Sequence, residues 1–340
     1  MLKGNNYNAK KENTMRKCLK SFQYIFMICF ILAGGCTIVE SKLEQPSTPG
    51  YTHCCNCCLC DTSGAPPEEI PSVVESNTNK HAVLISAGIA QGDDVGGNSE
   101  FWYDLVLQYK MLRENGFEDE NIYVLYGKGA DFISQHYPEY NSIAQFGHLI
   151  TKASVTKENI KTAFDRINAS DTEKDHLYVW WMGHGACRPG TCNLSLFIGY
   201  TDENVDSITD EELSRYINSV SNCKNRTLAL MTCHSGGIID NVNAPGSRMI
   251  TLTSSKCEQN SYSYDNQSPC DRFFHAEFNS SITNALRQKD LCDVIISPKT
   301  DINSDGHVSL WEASQYNEST MQHSTPQMGD PDGISSSTHL

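Results

Sequence analysis

The sequence predicts an α/β fold: a three-layer α/β/α sandwich around a mostly parallel sheet. Three observations predict it. Short apolar, β-prone runs alternate with segments whose apolar residues recur at helical spacing, a pattern that implies a parallel sheet covered on both faces. The runs are apolar nearly throughout, as strands buried on both faces are. Two of them, at 177–182 and 228–231, are followed by His184-Gly185 and by Cys233, and open α/β sheets gather reactive groups at the carboxyl ends of their strands.

The elements follow in order. HAVLISAG (81–88) predicts the first strand, and FWYDLVLQYKMLRENG (101–116) a helix stopped by Gly116. NIYVLYG (121–127) predicts a strand and TKENIKTAFDRIN (156–168) a helix with a polar start. HLYVWWMG (176–183) predicts a strand, SITDEELSRYINSV (207–220) a helix, and TLALMTC (227–233) and MITLTSS (249–255) two further strands. FFHAEFNSSITNALRQ (273–288) predicts the last long helix.

The chain has 340 residues, 39% of them hydrophobic, enough for a sizeable core. Its formal net charge is −15 and no basic stripe lies beyond the N-terminus, which disfavours nucleic acid as a partner. Residues 1–36 read as a targeting segment. A basic stretch (MRKCLK, 15–20) precedes an apolar run at 22–32 of signal-peptide length, then small residues and Cys36. A cysteine placed there resembles a lipoprotein cleavage site, so Cys36 is the candidate lipidation site and the chain is read as exported, with a lipid anchor or a secreted or periplasmic form. Residues 37–79, rich in Pro, Ser, Thr, Glu and Asn, read as a flexible tether. The folded domain is placed at 80–298, followed by a C-terminal segment at 299–340.

Fifteen cysteines are spread unevenly. Five crowd into HCCNCCLC (53–60), a spacing too tight for a standard structural zinc site, which leaves a local disulfide knot, a soft-metal site or incidental cysteines as readings. Seven lie in the body. With Cys233 kept free, six remain, and six allow fifteen pairings. A bridge between Cys187 and Cys192 is the hypothesis suggested by their place around the loop after His184.

The chemistry rests on His184 and Cys233. A thiol must become a thiolate to attack a carbonyl, and an imidazole can take its proton and later protonate the leaving amine. Gly185 leaves its N–H open to approach, and that N–H with the one of Cys233 forms a candidate oxyanion site. Gly236-Gly237 permit the chain to turn away from the nucleophile. His234 is a rival base, but neighbouring side chains on a strand point to opposite faces, so His184 is preferred. A lone buried cysteine or histidine is ordinarily structural. The order strand–His-Gly, helix, strand–Cys, with 49 positions between the two, is far more specific.

These stretches resemble the legumain-type cysteine peptidases of the caspase-like clan, and their bacterial relatives above all. HAVLISAG is similar to the opening strand, FWYDLVLQYKMLRENGFEDENIYVLYGKG to the long helix and second strand, DHLYVWWMGHG to the His-Gly motif, LALMTCHSGG to the nucleophile motif, and ITLTSSKCEQNSYSYD (250–265) to the next strand and pocket loop. The resemblance implies a caspase-like fold, a catalytic dyad of His184 and Cys233, a thioester acyl-enzyme, protein or peptide substrates and no cofactor for catalysis. Ser254, Ser255 and Asp265 are candidate substrate-binding residues by position. Legumain also carries an Arg-His pair that helps form its asparagine pocket. The corresponding stretch here, NSEFWYD (98–104), has no arginine, so preference for Asn or Asp at P1, the substrate residue before the scissile bond, is only weakly implied.

A second motif, DINSDGHVSLWE (301–312), fits the EF-hand loop pattern at every defined position. Asp301, Asn303 and Asp305 offer side-chain oxygens, His307 its backbone carbonyl, Ser309 a hydroxyl or water-mediated contact, and Glu312 a bidentate carboxylate for structural calcium. The rival readings are a transpeptidase or ligase using the same dyad, a non-catalytic calcium-stabilised binding module, and a metal-binding surface lipoprotein working through 53–60. Oligomeric state is not readable.

Overall fold

The computed structural model describes residues 79–87, 100–135, 137–170, 175–188, 190–200, 205–264 and 275–340. All lie within one compact unit spanning 72–340. The targeting segment 1–36 with Cys36, the cluster 53–60, the tether to residue 78 and the candidate pocket residue Asp265 lie outside the described residues.

The chain runs β1 (Lys80–Ser86), α1 (Glu100–Glu114), β2 (Ile122–Tyr126), β3 (Thr151–Ala153), α2 (Lys157–Ser170) and β4 (His176–Met182). After β4 come β5 (Gly185–Cys187), β6 (Leu194–Tyr200), β7 (Val205–Thr209) and α3 (Asp210–Ser219). Then follow β8 (Asn225–Met231), β9 (Met249–Thr253), β10 (Ser263–Tyr264), β11 (His275–Ala276), α4 (Glu277–Arg287), α5 (Leu310–Thr320) and β12 (Gln327–Gly329). The main sheet has the order β12-β9-β8-β4-β1-β2-β3, parallel except for β12, which pairs antiparallel with β9.

Side-chain parity divides the core in two. Ala82, Leu84, Tyr178, Trp180, Met182, Ala229 and Met231 pack against α1, α4 and α5. The alternate residues Val83, Ile85, Leu177, Val179, Trp181, Leu228 and Leu230 pack against α2 and α3. The expected α/β/α sandwich is therefore the fold formed, and its strands read as apolar runs because both faces are covered. From β1 the chain moves outward to β2 and β3, and from β4 it moves the other way through β8 and β9. This reversal places a crevice at the carboxyl ends of β1 and β4.

Two elements differ from the sequence expectation. The stretch 207–220 is not helical throughout: 205–209 forms β7, the edge of an antiparallel β5-β6-β7 sheet, and Thr209 then caps α3 in a capping box with Glu212. The helix sought at 273–288 begins at Glu277, after β11. Within the segment 299–340, β12 joins the main sheet and Leu310, Ala313 and Leu340 enter the core. Among the described residues no helix is long and apolar enough to cross a membrane.

Candidate active site

The parallel register of β4 and β8 pairs Met182 with Met231, and Gly183 N–H still donates to the Met231 carbonyl at 3.2 Å. His184 and Cys233 each lie two residues beyond that last pair. They inherit the parity of Met182 and Met231, the face that carries α1 and α4. His184 is exposed, and its ring meets that of Phe101 edge-on at 5.5 Å. Phe101 belongs to α1, so this contact independently places the imidazole on that face. Ser86 Oγ, at the end of β1, donates to the Phe101 carbonyl at 2.9 Å and ties the start of α1 to the strand edge.

Gly185 is held by close approach. A Cβ there would stand 2.4 Å from Thr232 Oγ1 and 2.8 Å from the Cys233 carbonyl. The glycine after the histidine thus lets the β4–β5 corner seat directly on the chain that carries Cys233. Gly237 has a similar reason: its Cβ would stand 2.2 Å from the Cys192 carbonyl. The turn away from Cys233 is made instead by His234, which adopts left-handed backbone (φ 65°) before a short 3-10 turn at Ser235–Ile238. His234 Nδ1 pairs with the Cys257 carbonyl at 2.7 Å, so its ring is committed to that loop.

Cys233 is a half-buried free thiol whose Sγ lies 3.8 Å from the Ser261 carbonyl. Burial pushes its pKa above the ordinary thiol range. Behind it, a knot of hydroxyls fixes the strand end. Ser261 Oγ donates to the Thr232 carbonyl at 2.7 Å, Ser254 Oγ lies 2.5 Å from Ser261 Oγ, and Ser255 N–H donates to Ser235 Oγ at 2.9 Å. Ser254 and Ser255 are both 0% exposed. Their hydroxyls are spent on Thr232 and Ser235, so they brace the strand end that carries Cys233.

The suggested Cys187–Cys192 bridge is not formed. Cys192 pairs with Cys257, while Cys187 stays a free thiol donating to the Cys257 carbonyl at 3.4 Å. The bridge therefore ties the loop after β5 to the loop after β9, one from each side of the site, where the spacing of cysteines in sequence pointed to a local clip. Cys292 is also disulfide-bonded, and Cys223 is a buried thiol whose Sγ donates to the Val220 carbonyl at 3.6 Å.

The loop at 301–312 folds around its own carboxylates. Asp301 Oδ1 and Oδ2 accept from the N–H groups of Asp305 (3.1 Å) and Gly306 (2.9 Å), and Gly306 has φ +90° as the sharp turn requires. Asn303 Oδ1 accepts from Asp305 N–H and Asp305 Oδ1 from His307 N–H, each at 2.9 Å. These oxygens keep a lone pair each, and an all-oxygen set suits a hard cation. Glu312 differs. Its Oε1 accepts from the N–H groups of Ile302 and Asn303, and its Oε2 from Ser309 N–H and Oγ, in a capping box that starts α5. Among the described residues no group of three or more His, Cys, Asp or Glu side chains converges as a metal site.

Phe101, Ser261 and Glu100 were not singled out by sequence. Glu100 and Phe101 lie in the stretch 98–104 noted for its missing arginine, Phe101 also opens the expected helix 101–116, and Ser261 lies in 250–265, read as a strand and pocket loop without a role for that residue.

A search of curated proteins found no match. Among solved structures, the crystal structure of caspase-1 from Spodoptera frugiperda aligns over 75% of this chain and 88% of that one, with 12% identity and a TM-score of 0.43. The model of the peptidase C13 family matches residues 95–327, a span that takes in α1, both strand ends, His184, Cys233 and the supporting hydroxyls. The chain belongs to the peptidase C13 family and is a cysteine-type peptidase.

Proposed function

We propose that the chain is an endopeptidase that cleaves peptide bonds with a Cys233–His184 dyad. The observation that carries this reading is the shared register: both residues lie two positions past Met182 and Met231, on one face of adjacent parallel strands, with Gly185 seated against the Cys233 carbonyl. Cys233 attacks the carbonyl carbon and forms a thioester. Its proton passes to His184, which gives it to the departing amine. Water then resolves the acyl-enzyme. The N–H groups of Gly185 and Cys233 receive the oxyanion, a contribution of a few kcal/mol in comparable acyl-transfer sites.

The test is covalent labelling with a thiol-reactive peptide probe, mapped by mass spectrometry to separate Cys233 from the thiols of Cys187 and Cys223. Labelling of Cys233 by the wild type is expected. Peptide hydrolysis should vanish in Cys233→Ala and fall at least ~100-fold in His184→Ala, the range of a lost general acid–base. Full hydrolysis by either variant would overturn the dyad.

Two accompanying readings belong to the same proposal. The chain works outside the cytoplasm, anchored through Cys36, a reading supported by the Cys192–Cys257 bridge because such bonds persist in oxidising compartments. The mass of the mature N-terminal peptide, with or without acyl chains on Cys36, decides it. The 301–312 loop binds calcium through Asp301, Asn303, Asp305 and the His307 carbonyl, with Glu312 giving up donors from its capping box to join them. Calcium titration should then raise the melting temperature of chelator-treated protein in the wild type but not in Asp301→Asn, and an unchanged melting curve would count against it.

A further inference from the structure

The backbone at His184 is fixed on both sides. Gly183 N–H donates to the Met231 carbonyl at 3.2 Å, and the His184 carbonyl accepts from Phe197 N–H at 3.0 Å. The side chain is exposed, and exposed side chains ordinarily exchange rotamers in picoseconds to nanoseconds. With the backbone held, the direction of the imidazole is what remains to be set. The ring of Phe101 stands edge-on against it, with centroids 5.5 Å apart and planes at 65°, an arrangement that aromatic pairs prefer.

Phe101 is a firm support because the first turn of α1 is tied to three other elements. Buried Ser86, at the end of β1, donates its Oγ to the Phe101 carbonyl at 2.9 Å. The buried ring of Trp102 packs on Tyr126 of β2, with centroids 4.8 Å apart. Asp104 accepts from Ala276 N–H at 3.0 Å and from Asn279 Nδ2 at 2.9 Å, which ties α1 to the start of α4. Asn279 Oδ1 in turn accepts from Trp180 Nε1 at 3.0 Å. Trp180 belongs to β4, the strand that leads to His184. The helix that carries Phe101 and the strand that leads to His184 are thus braced through one chain of buried hydrogen bonds. Phe101 itself is partly buried against the core on the same face.

We propose that Phe101 is a positioning residue: its ring holds the His184 imidazole in the orientation that takes the Cys233 proton and passes it to the leaving amine. The inference rests on the dyad reading and supplies the base with an orienting partner, the part a third side chain plays in nucleophile–base sites. Here the orientation comes from ring packing. Phe101 touches no reacting atom and acts through His184. Ser86 acts one step further back, through the Phe101 carbonyl. Losing the ring frees the imidazole to turn, which lowers the share of bound complexes in reactive geometry and leaves peptide binding in place.

The experiment measures peptide hydrolysis by the full-length protein, with kcat and KM separated, in two variants. Phe101→Leu keeps an apolar side chain without a ring, and Ser86→Ala removes only the tether to the Phe101 carbonyl. Phe101→Leu should lower kcat at least about tenfold, within the ~100-fold that a misplacement near 1 Å costs, and move KM less than about threefold. Ser86→Ala should lower kcat by a smaller factor, again with KM held. Both changes are then repeated in His184→Ala. With the base gone, neither should reduce the residual rate further, because residues that act as a unit are not additive. An unchanged kcat in Phe101→Leu, a loss carried by KM, or an equal loss in the His184→Ala background overturns the proposal. If Phe101→Leu does not fold, Ser86→Ala is judged by the same three outcomes. Hydrolysis at the wild-type rate by His184→Ala overturns the dyad reading, and this proposal with it.

Discussion

Gly185 lies directly against the carbonyl of Cys233: a Cβ at position 185 would stand 2.8 Å from that oxygen and 2.4 Å from Thr232 Oγ1. Neither neighbour can yield, since one is backbone and Thr232 is only 1% exposed. Gly185→Ala should therefore push the β4–β5 corner, and His184 with it, away from the nucleophile. Misplacement of a reacting group by about 1 Å costs on the order of 100-fold in rate, and an overpacked methyl costs about 1–3 kcal/mol in stability. We expect both losses, read as kcat/KM and as the urea midpoint. Wild-type hydrolysis by the alanine variant would show that this contact does not position the histidine.

The thiol of Cys233 should resist alkylation in the resting protein. Burial favours its neutral form and pushes its pKa above the usual range. Since only the thiolate reacts, the rate of iodoacetamide alkylation at Cys233 should still be rising beyond pH ~8.5, the ordinary cysteine value. Mass mapping keeps Cys187 and Cys223 out of the measurement. A plateau reached below pH 7 would mean that an ion pair with His184 already exists before substrate arrives.

The bridge between Cys192 and Cys257 spans 65 residues and fixes two loops that support the site. Cys257 offers its carbonyl to His234 Nδ1 and to Cys187, and the Cys192 carbonyl lies against Gly237. Replacing Cys192 and Cys257 together by serine should cost about 2–4 kcal/mol and lower kcat more than it raises KM, because the loops position the strand end carrying Cys233. Treatment of the wild type with a reductant should reproduce the loss. An unchanged unfolding midpoint in the double variant would remove the bridge from the account of the site.

The sheet was legible because its strands are buried on both faces, and the resulting apolar runs at 176–182 and 225–231 cannot be mistaken for loops. The pair His184 and Cys233 was legible for the same reason, each following such a run. What sequence could not show was set by contacts distant in the chain. Cys192 looks local to Cys187 until the fold brings Cys257 beside it. Ser254 and Ser255 look like pocket residues by position, and only their burial reveals them as supports. β7 was read as helix because Asp210, Glu211 and Glu212 belong to a helical first turn, whereas the five residues before them pair with β6.

Glu100 should also leave a mark on stability. Its folded-state pKa is raised to about 7 from 4.5, by burial first and then by Asp104, against the opposing effects of Ser263 and His275. The fold thus favours the protonated form, and the native state binds more protons than the unfolded chain between those values. Stability attached to Glu100 is intact below about pH 4.5 and is lost as the pH rises through about 7. Glu100→Gln keeps a polar side chain of similar size and carries no charge at any pH. The variant should match the wild type near pH 4.5 and exceed it at pH 8.5, by at most about 3 kcal/mol for a shift of this size. Partial exposure to water reduces the expected figure. Urea midpoints at the two pH values measure the difference. Parallel stability curves for the two proteins would mean that the Glu100 carboxylate is already fully compensated in the native state.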